Sequence, residues 1–286
     1  MNCLAWNCRG LGNPRTVREL HFLVKEKVPR MIFLSETKCK RNKAEKVRNR
    51  LGYECSFVVD SIGRSGGLVM MWKQELSAEL HTYSNNHISV LVTVEGAATP
   101  WHVTGFYGNP VVEKRRESWE LLKLLKPVSN GPWLCMGDFN EILCNEEKEG
   151  ATPKPFSQME RFREALYECG LIDLGFIGTK FTWSNKREGE GFTKERLNRG
   201  FCNNSWTQLF EKCYNQVLPT LSSYHSPLFI SCFNHEEQML LKRKVFGYEA
   251  SWGKKPDCKR LVQMAWNQGR EDAGSIDRIK AKLTQC

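Results

Sequence analysis

The sequence predicts an α+β protein in which two β-sheets pack face to face with helices outside them. Three observations predict it. Apolar strand-like runs and amphipathic helical windows are interleaved along residues 1–233. Five strand-like runs follow one another between residues 55 and 107 with no helical window among them. In the fourth of these, Ile88, Val90, Val92 and Val94 alternate with Ser89, Leu91 and Thr93, the period-two pattern of an antiparallel strand with one more apolar face. A doubly wound parallel fold needs regular strand–helix alternation, which this stretch does not offer.

The elements follow in order. Residues 3–8 read as a strand. Val17, Leu20, Leu23 and Val24 recur at helical spacing and predict a helix over 16–27. A short buried strand over 31–35 delivers Glu36 at its C-terminal end. A basic helix over 40–51 carries Arg41, Lys43, Lys46, Arg48 and Arg50. Strands over 55–60, 67–72, 79–84, 87–95 and 101–107 come next, punctuated by Gly63, Gly66, Gly67 and Pro100.

A helix over 113–126 turns Trp119, Leu122 and Leu125 inward and ends at Pro127. A strand over 133–139 and a helix over 157–169 follow. Short strands are expected over 181–184, 196–201, 216–219 and 226–233, with a helical turn near 206–210. The first 233 residues thus read as one domain. The remainder, 234–286, has 11 Lys/Arg against 7 Asp/Glu, a net charge of +4, and few strand signals. It reads as a basic, helix-rich extension with an amphipathic window over 259–268.

The chain has 286 residues with 41% hydrophobic and 11% aromatic content, enough for a sizeable core and unlike a disordered chain. A net charge of +10 favours an anionic partner, nucleic acid first. Its 12 cysteines show neither a C-x-x-C pair nor a Cys/His zinc spacing. They read as reduced core fillers of an intracellular protein. Residues 1–7 lack the basic and apolar regions of a secretory signal. No apolar run approaches the roughly 20 residues of a bilayer span.

Several polar residues sit at strand ends. Asp138 and Asn140, two apart, share one face. Such a pair suits gripping a hydroxyl nucleophile and a phosphoryl oxygen together, and equally suits a plain Asx turn. Glu36 ends a buried run, as a hard-cation ligand or as an exposed strand-end carboxylate. Asn7 lies inside an apolar strand, where a buried amide needs partners. His225 follows Ser223 and Tyr224 and precedes Pro227, as a donor to a phosphate or as a structural imidazole. Tyr107, between glycines, suits a phosphate contact or the core. Thr182 and Trp183 suit a sugar or base contact, or core packing.

Taken together and in order, these segments resemble a known family. They are Trp6-Asn7-Cys8-Arg9-Gly10, Leu34-Ser35-Glu36-Thr37, Gly105-Phe106-Tyr107-Gly108, Gly137-Asp138-Phe139-Asn140, Phe181-Thr182-Trp183, Arg196-Leu197-Asn198-Arg199 and Ser223-Tyr224-His225-Ser226-Pro227. The set resembles the endonuclease/exonuclease/phosphatase superfamily, and within it the apurinic-type endonuclease domain of plant LINE-type (non-LTR) retrotransposons. The resemblance implies a four-layer α/β/β/α sandwich and Mg²⁺-dependent phosphodiester hydrolysis, with Mn²⁺ as an alternative ion. It implies that Glu36 binds the metal with support from Asn7, and that Tyr107 and Asn140 contact phosphate. Asp138 would orient or activate water, and His225 would stabilise the transition state, held by the residue at Asn198. Arg9, Thr182 and Trp183 would contact nucleic acid. DNA is the implied partner, RNA the alternative, and the nucleus the implied compartment. The tail resembles, more weakly, a connector to a reverse transcriptase. No Tyr-x-Asp-Asp signature occurs, so the expectation is a truncated product or a gene model covering only the front end of such an element.

Two departures stand out. Where the family has Asp in Arg-Leu-Asp-Arg this chain has Asn198, and where it has Ser-Asp-His this chain has Tyr224. In a serine-protease triad the comparable Asp-to-Asn change costs about 10⁴ in turnover. The expectation is strongly reduced or absent cleavage, with a non-catalytic nucleic-acid binder as the second possibility.

Overall fold

The computed structural model describes residues 1–63, 65–93, 99–150, 152–233 and 260. The chain divides into two units, Met1–Gln238 and Met239–Cys286, and every described residue but Arg260 belongs to the first. The expected extension over 234–286 and the end of the strand expected over 87–95 lie outside the described residues.

In chain order the elements are β1 (Asn2–Asn7), α1 (Pro14–Lys27), β2 (Met31–Ser35), α2 (Arg41–Leu51), β3 (Cys55–Val59), β4 (Leu68–Trp72), β5 (Ser77–Ser84), β6 (His87–Thr93) and β7 (Trp101–Tyr107). There follow α3 (Arg115–Leu124), β8 (Trp133–Asp138), β9 (Lys148–Glu149), α4 (Phe156–Cys169), β10 (Ile172–Asp173), β11 (Trp183–Ser184), β12 (Lys194–Glu195), β13 (Asn198–Cys202), α5 (Asn204–Leu209), β14 (Lys212–Val217) and β15 (Leu228–Phe233). One six-stranded sheet has the order β14-β15-β1-β2-β4-β3, the other β10-β13-β8-β7-β6-β5. The pairs β1/β2 and β7/β8 are parallel, and the other neighbours in these sheets are antiparallel. A small third sheet joins β11, β12 and β9.

Alternation along the strands builds the layers, because successive side chains point to opposite faces. Cys3 and Ala5 of β1, Phe33 of β2, and Leu134 and Met136 of β8 share the core between the sheets. Leu4 and Trp6 face the other way and pack with Leu20 and Leu23 of α1 and Val47 of α2. Trp133 and Cys135 pack with Trp119 and Leu122 of α3 and Phe162 of α4. The result is helices, sheet, sheet, helices: the expected α+β sandwich. Gly105 of β7 leaves the space that the Phe33 ring fills, since a Cβ there would lie 2.1 Å from it.

Helix α1 starts on a cap that its sequence carries. Asn13 caps α1 by accepting a hydrogen bond from the Arg15 N–H at 2.9 Å, and Pro14 follows at its first position. The helix expected over 113–126 begins as a 3₁₀ turn, Val112–Lys114, and continues as α3. The strand expected over 216–219 is corrected to Lys212–Val217. Its mixed polar sequence hides it, and pairing with the apolar β15 decides its register. The ten cysteines among the described residues are all free thiols, seven of them buried. No helix among the described residues is long and apolar enough to cross a membrane.

Candidate active site

The alternation that buries the core carries polar groups to one end of it. Asn7 has the parity of Cys3 and Ala5, and Asp138 that of Leu134 and Met136, so both end their strands facing the space between the sheets. Tyr107 on β7 and Asn198 on β13 both stand opposite Asp138 in register. The C-terminal ends of the central parallel pairs therefore meet the start of β13 at one opening.

The backbone there is unusual. Gly137 has φ +146°, and a Cβ on it would lie 2.0 Å from the carbonyl oxygen of Phe106, so only glycine fits. Arg9, Glu36 and Asn140, each just past a strand, have φ of 51°, 53° and 56°. Left-handed non-glycine residues are uncommon and cluster at functional sites.

A chain of polar contacts crosses the opening. The Asn7 Nδ2 amide donates to Asp138 Oδ2 at 2.7 Å. The Asn140 N–H donates to Asp138 Oδ1 at 3.1 Å. His225 lies with Nδ1 3.1 Å from Asn198 Oδ1 and 3.4 Å from Asp138 Oδ2, and with Nε2 3.5 Å from Asn7 Nδ2. Asn198 donates its own amide N–H to the Ser226 carbonyl at 2.9 Å, which turns its oxygen toward His225. The imidazole proton therefore sits on Nδ1, as the surrounding hydrogen bonds assign it. The loop bearing His225 is tied down through Trp6, whose indole N–H donates to the His225 carbonyl, and Ser223, whose hydroxyl donates to the Asn7 carbonyl.

Burial pushes the His225 imidazole below its ordinary pKa. Asp138 pulls it up, Arg9 adds to the depression, and Glu36 opposes it, but burial prevails. Asn198 offers this imidazole a dipole and no charge, while the Asp138 carboxylate stands 3.4 Å from its Nδ1. Burial, with the charges of Asp138 and Glu36, pushes the Tyr107 phenol up, so it acts as a donor. It donates to Glu36 Oε1 at 3.0 Å, where the Gly66 N–H also bonds at 3.1 Å. Lys38 Nζ stands 3.5 Å from the other oxygen of Glu36.

Asn7, Arg9, Glu36, Tyr107, Asn140, Trp183 and His225 line one cleft of about 590 Å³. Asp138 and Asn198 lie behind its wall, 1% and 2% exposed. Thr182 does not reach the cleft. It is buried, and its hydroxyl accepts the N–H groups of Leu197 and Asn198, so its expected role in contacting nucleic acid is corrected to a structural one. Tyr224 is 42% exposed beside the cleft.

Sequence patterns missed the far wall. Arg115, Lys148, Lys154 and Glu195 also line the cleft. Lys148 and Lys154 each stand 2.8 Å from a Glu195 oxygen, and Arg115 and Lys154 stand 2.6 and 3.1 Å from buried Glu141. Burial alone would raise the Glu195 carboxyl, but Lys154 and Lys148 hold it below the usual range. The two-residue strands that carry Lys148 and Glu195 offer no hydrophobic pattern to read.

The model of the endonuclease/exonuclease/phosphatase family matches residues 4–214. The chain belongs to that family. Three solved family-type folds illustrate the likeness. An AP endonuclease from Leishmania major superposes with a TM-score of 0.62 at 16% identity, over 82% of this chain and 87% of that one. The endonuclease domain of TRAS1, a telomere-specific non-LTR retrotransposon, gives 0.59 at 16% identity, over 82% and 99%. A 3' phosphatase, NExo, from Neisseria, bound to product DNA hairpin, gives 0.61 at 16% identity, over 82% and 99%. At such identities the likeness is one of fold. Comparison with curated proteins gives no match.

Proposed function

We propose that this chain is the phosphodiester-cleaving endonuclease domain of a plant LINE-type element acting on DNA, and that its rate is strongly reduced by Asn198 and Tyr224. The observation that supports this reading is the linked run Asn7–Asp138–His225–Asn198 beside Glu36 and Tyr107 at one open end of the sandwich. The solved phosphatase bound to a DNA hairpin supports DNA as the polymer.

In hydrolysis a water oxygen attacks phosphorus, the bond to the leaving oxygen breaks, and the water proton passes to a base. Asp138, just behind the cleft wall, would orient or activate that water, its carboxylate aimed by Asn7 and the Asn140 N–H. Asn140 gives one side-chain N–H to the Gly108 carbonyl and keeps the other for a phosphoryl oxygen. As an imidazolium, His225 donates from Nε2 to the developing charge. As the neutral Nδ1–H form, it presents a lone pair there instead. Burial favours that form, and Asn198 adds no charge to oppose it.

Asn7 Oδ1 is buried and has no hydrogen-bond partner. An orphaned amide oxygen together with the Glu36 carboxylate fits a hard cation such as Mg²⁺, which takes one or two carboxylates plus water and phosphate. Among the described residues no cluster of three or more His, Cys, Asp or Glu gathers around it. Glu36 and Asn7 would hold the ion, Mg²⁺ or Mn²⁺, which supplies Lewis-acid polarisation of a phosphoryl oxygen when bound. Lys38 competes for the same Glu36 oxygen.

A second reading, binding of DNA or RNA without cleavage, is favoured by the cations in the cleft and by the two missing carboxylates. A plasmid assay separates the two. Supercoiled DNA is incubated with Mg²⁺ and the unaltered protein, Asn198→Asp/Tyr224→Asp, or that double variant with His225→Ala. The expectation is slow or absent nicking by the unaltered chain, and faster nicking by the double variant that His225→Ala abolishes. If the double variant binds DNA without nicking it, the binding reading replaces the catalytic one.

A further inference from the structure

Tyr224 stands where the family resemblance leads one to expect a carboxylate, and its surroundings are cationic. The Arg9 guanidinium carbon lies 4.9 Å from the centroid of its ring, and the Lys186 ammonium 5.3 Å from the same centroid. Three separate segments meet here: the turn after β1, the residues after β11, and the loop before β15. The Ser184 N–H donates to the Tyr224 carbonyl at 3.1 Å and fixes two of them together. Arg9 and Lys186 both have left-handed backbones, with φ of 51° and 52°.

Neither cation has a carboxylate partner among the described residues. The two charges lie at most about 10 Å apart, and like charges that close repel when nothing screens them. An aromatic ring face attracts cations through its quadrupole and offsets part of that repulsion. Arg9 also lines the cleft beside His225 and is near enough to depress the imidazole's protonation.

We propose that Arg9, Tyr224 and Lys186 form a phosphate seat at the mouth of the cleft, which grips the DNA backbone next to the reacting phosphate without a metal ion. This rests on the nucleic-acid reading above and adds the contact that replaces a lost carboxylate with two ring-held cations. A strand carries one charge per roughly 3.4 Å of rise, so one or two consecutive phosphates fall within the seat. Tyr224 organises the cations, and Arg9 and Lys186 make the contacts.

The test is equilibrium binding of a fluorescent DNA duplex in EDTA, at a series of salt concentrations. Compared are the unaltered protein, Arg9→Gln, Lys186→Gln, Tyr224→Leu, Tyr224→Phe and Arg9→Gln/Tyr224→Leu. Each charge removal should weaken binding and lower the salt slope by about 0.9. Tyr224→Leu should weaken binding about 2- to 5-fold with little change of slope, and Tyr224→Phe should bind like the parent. Arg9→Gln should cost less in the Tyr224→Leu background than alone, a coupling that mere structural support would not produce. If the unaltered protein binds but neither charge removal changes affinity or slope, the seat is overturned and the nucleic-acid reading stands. If the unaltered protein binds no DNA at all, both fall.

Discussion

Oδ1 of Asn198 lies 3.1 Å from Nδ1 of His225, while the same amide gives its N–H to the Ser226 carbonyl. The amide is therefore locked with its oxygen toward the imidazole. An Asp at this place would accept the same hydrogen bond and add a full negative charge. Geometry is thus retained while the charge an Asp would bring is absent, and burial holds the imidazole below its ordinary pKa.

Gly137 lets the backbone of this site pass close to Phe106, and its replacement should be costly. Gly137→Ala forces a Cβ against the Phe106 carbonyl at a φ that side chains rarely adopt. A loss of about 2–4 kcal/mol is expected, from strain plus disruption of the β7/β8 pair. Gly12→Ala, where a Cβ meets nothing within 4 Å, should change stability by less than about 0.5 kcal/mol. Urea denaturation of both variants checks the contrast, and equal midpoints would contradict it.

Acid should destabilise the fold before its carboxylates titrate. His87 is 4% exposed, and burial pushes its imidazole down to about 4. In the unfolded chain a histidine titrates near pH 6.5, taking a proton that the folded His87 refuses (about 6.5 in model peptides). Stability is therefore full above about pH 6.5 and falls as the pH drops toward 4, by at most about 1.4 kcal/mol per unit. His225, lowered for the same reason, acts in the same direction. Unfolding free energies at pH 7 and pH 5 check this, and His87→Gln should flatten the slope. An unchanged free energy between the two pH values would refute it.

Arg199 is fully buried and ion-paired to Asp173 at 2.7 Å and to Glu147, which Arg196 also holds at 3.0 Å. Removing one partner of such a network leaves a buried charge uncompensated. Arg199→Met should cost about 3–5 kcal/mol. Thermal unfolding measures it. A loss below about 1 kcal/mol would mean that the neighbouring arginine satisfies both carboxylates alone.

The sandwich was legible because a strand covered on both faces reads as a continuous apolar run, as in Met31–Ser35 and Trp133–Asp138. The polar cluster was legible because Asn7, Glu36 and Asp138 each interrupt or end an apolar run, where a polar side chain needs a reason. Lys148 and Glu195 were not, since a strand of two residues has no period. Thr182 was misread because a motif position says nothing about which side of the backbone its hydroxyl serves. The stack of Arg9, Tyr224 and Lys186 joins three distant segments, and no local pattern encodes it.

The protonation of His225 tests the central claim most directly. The imidazole is titrated by nuclear magnetic resonance in the unaltered protein and in Asn198→Asp. The account predicts a midpoint below the ordinary value of about 6.5 in the unaltered chain, with the proton of the neutral ring on Nδ1. It predicts an upward move of about one to three units in Asn198→Asp. A midpoint above 6.5 in the unaltered protein, or one that Asn198→Asp leaves in place, would contradict it.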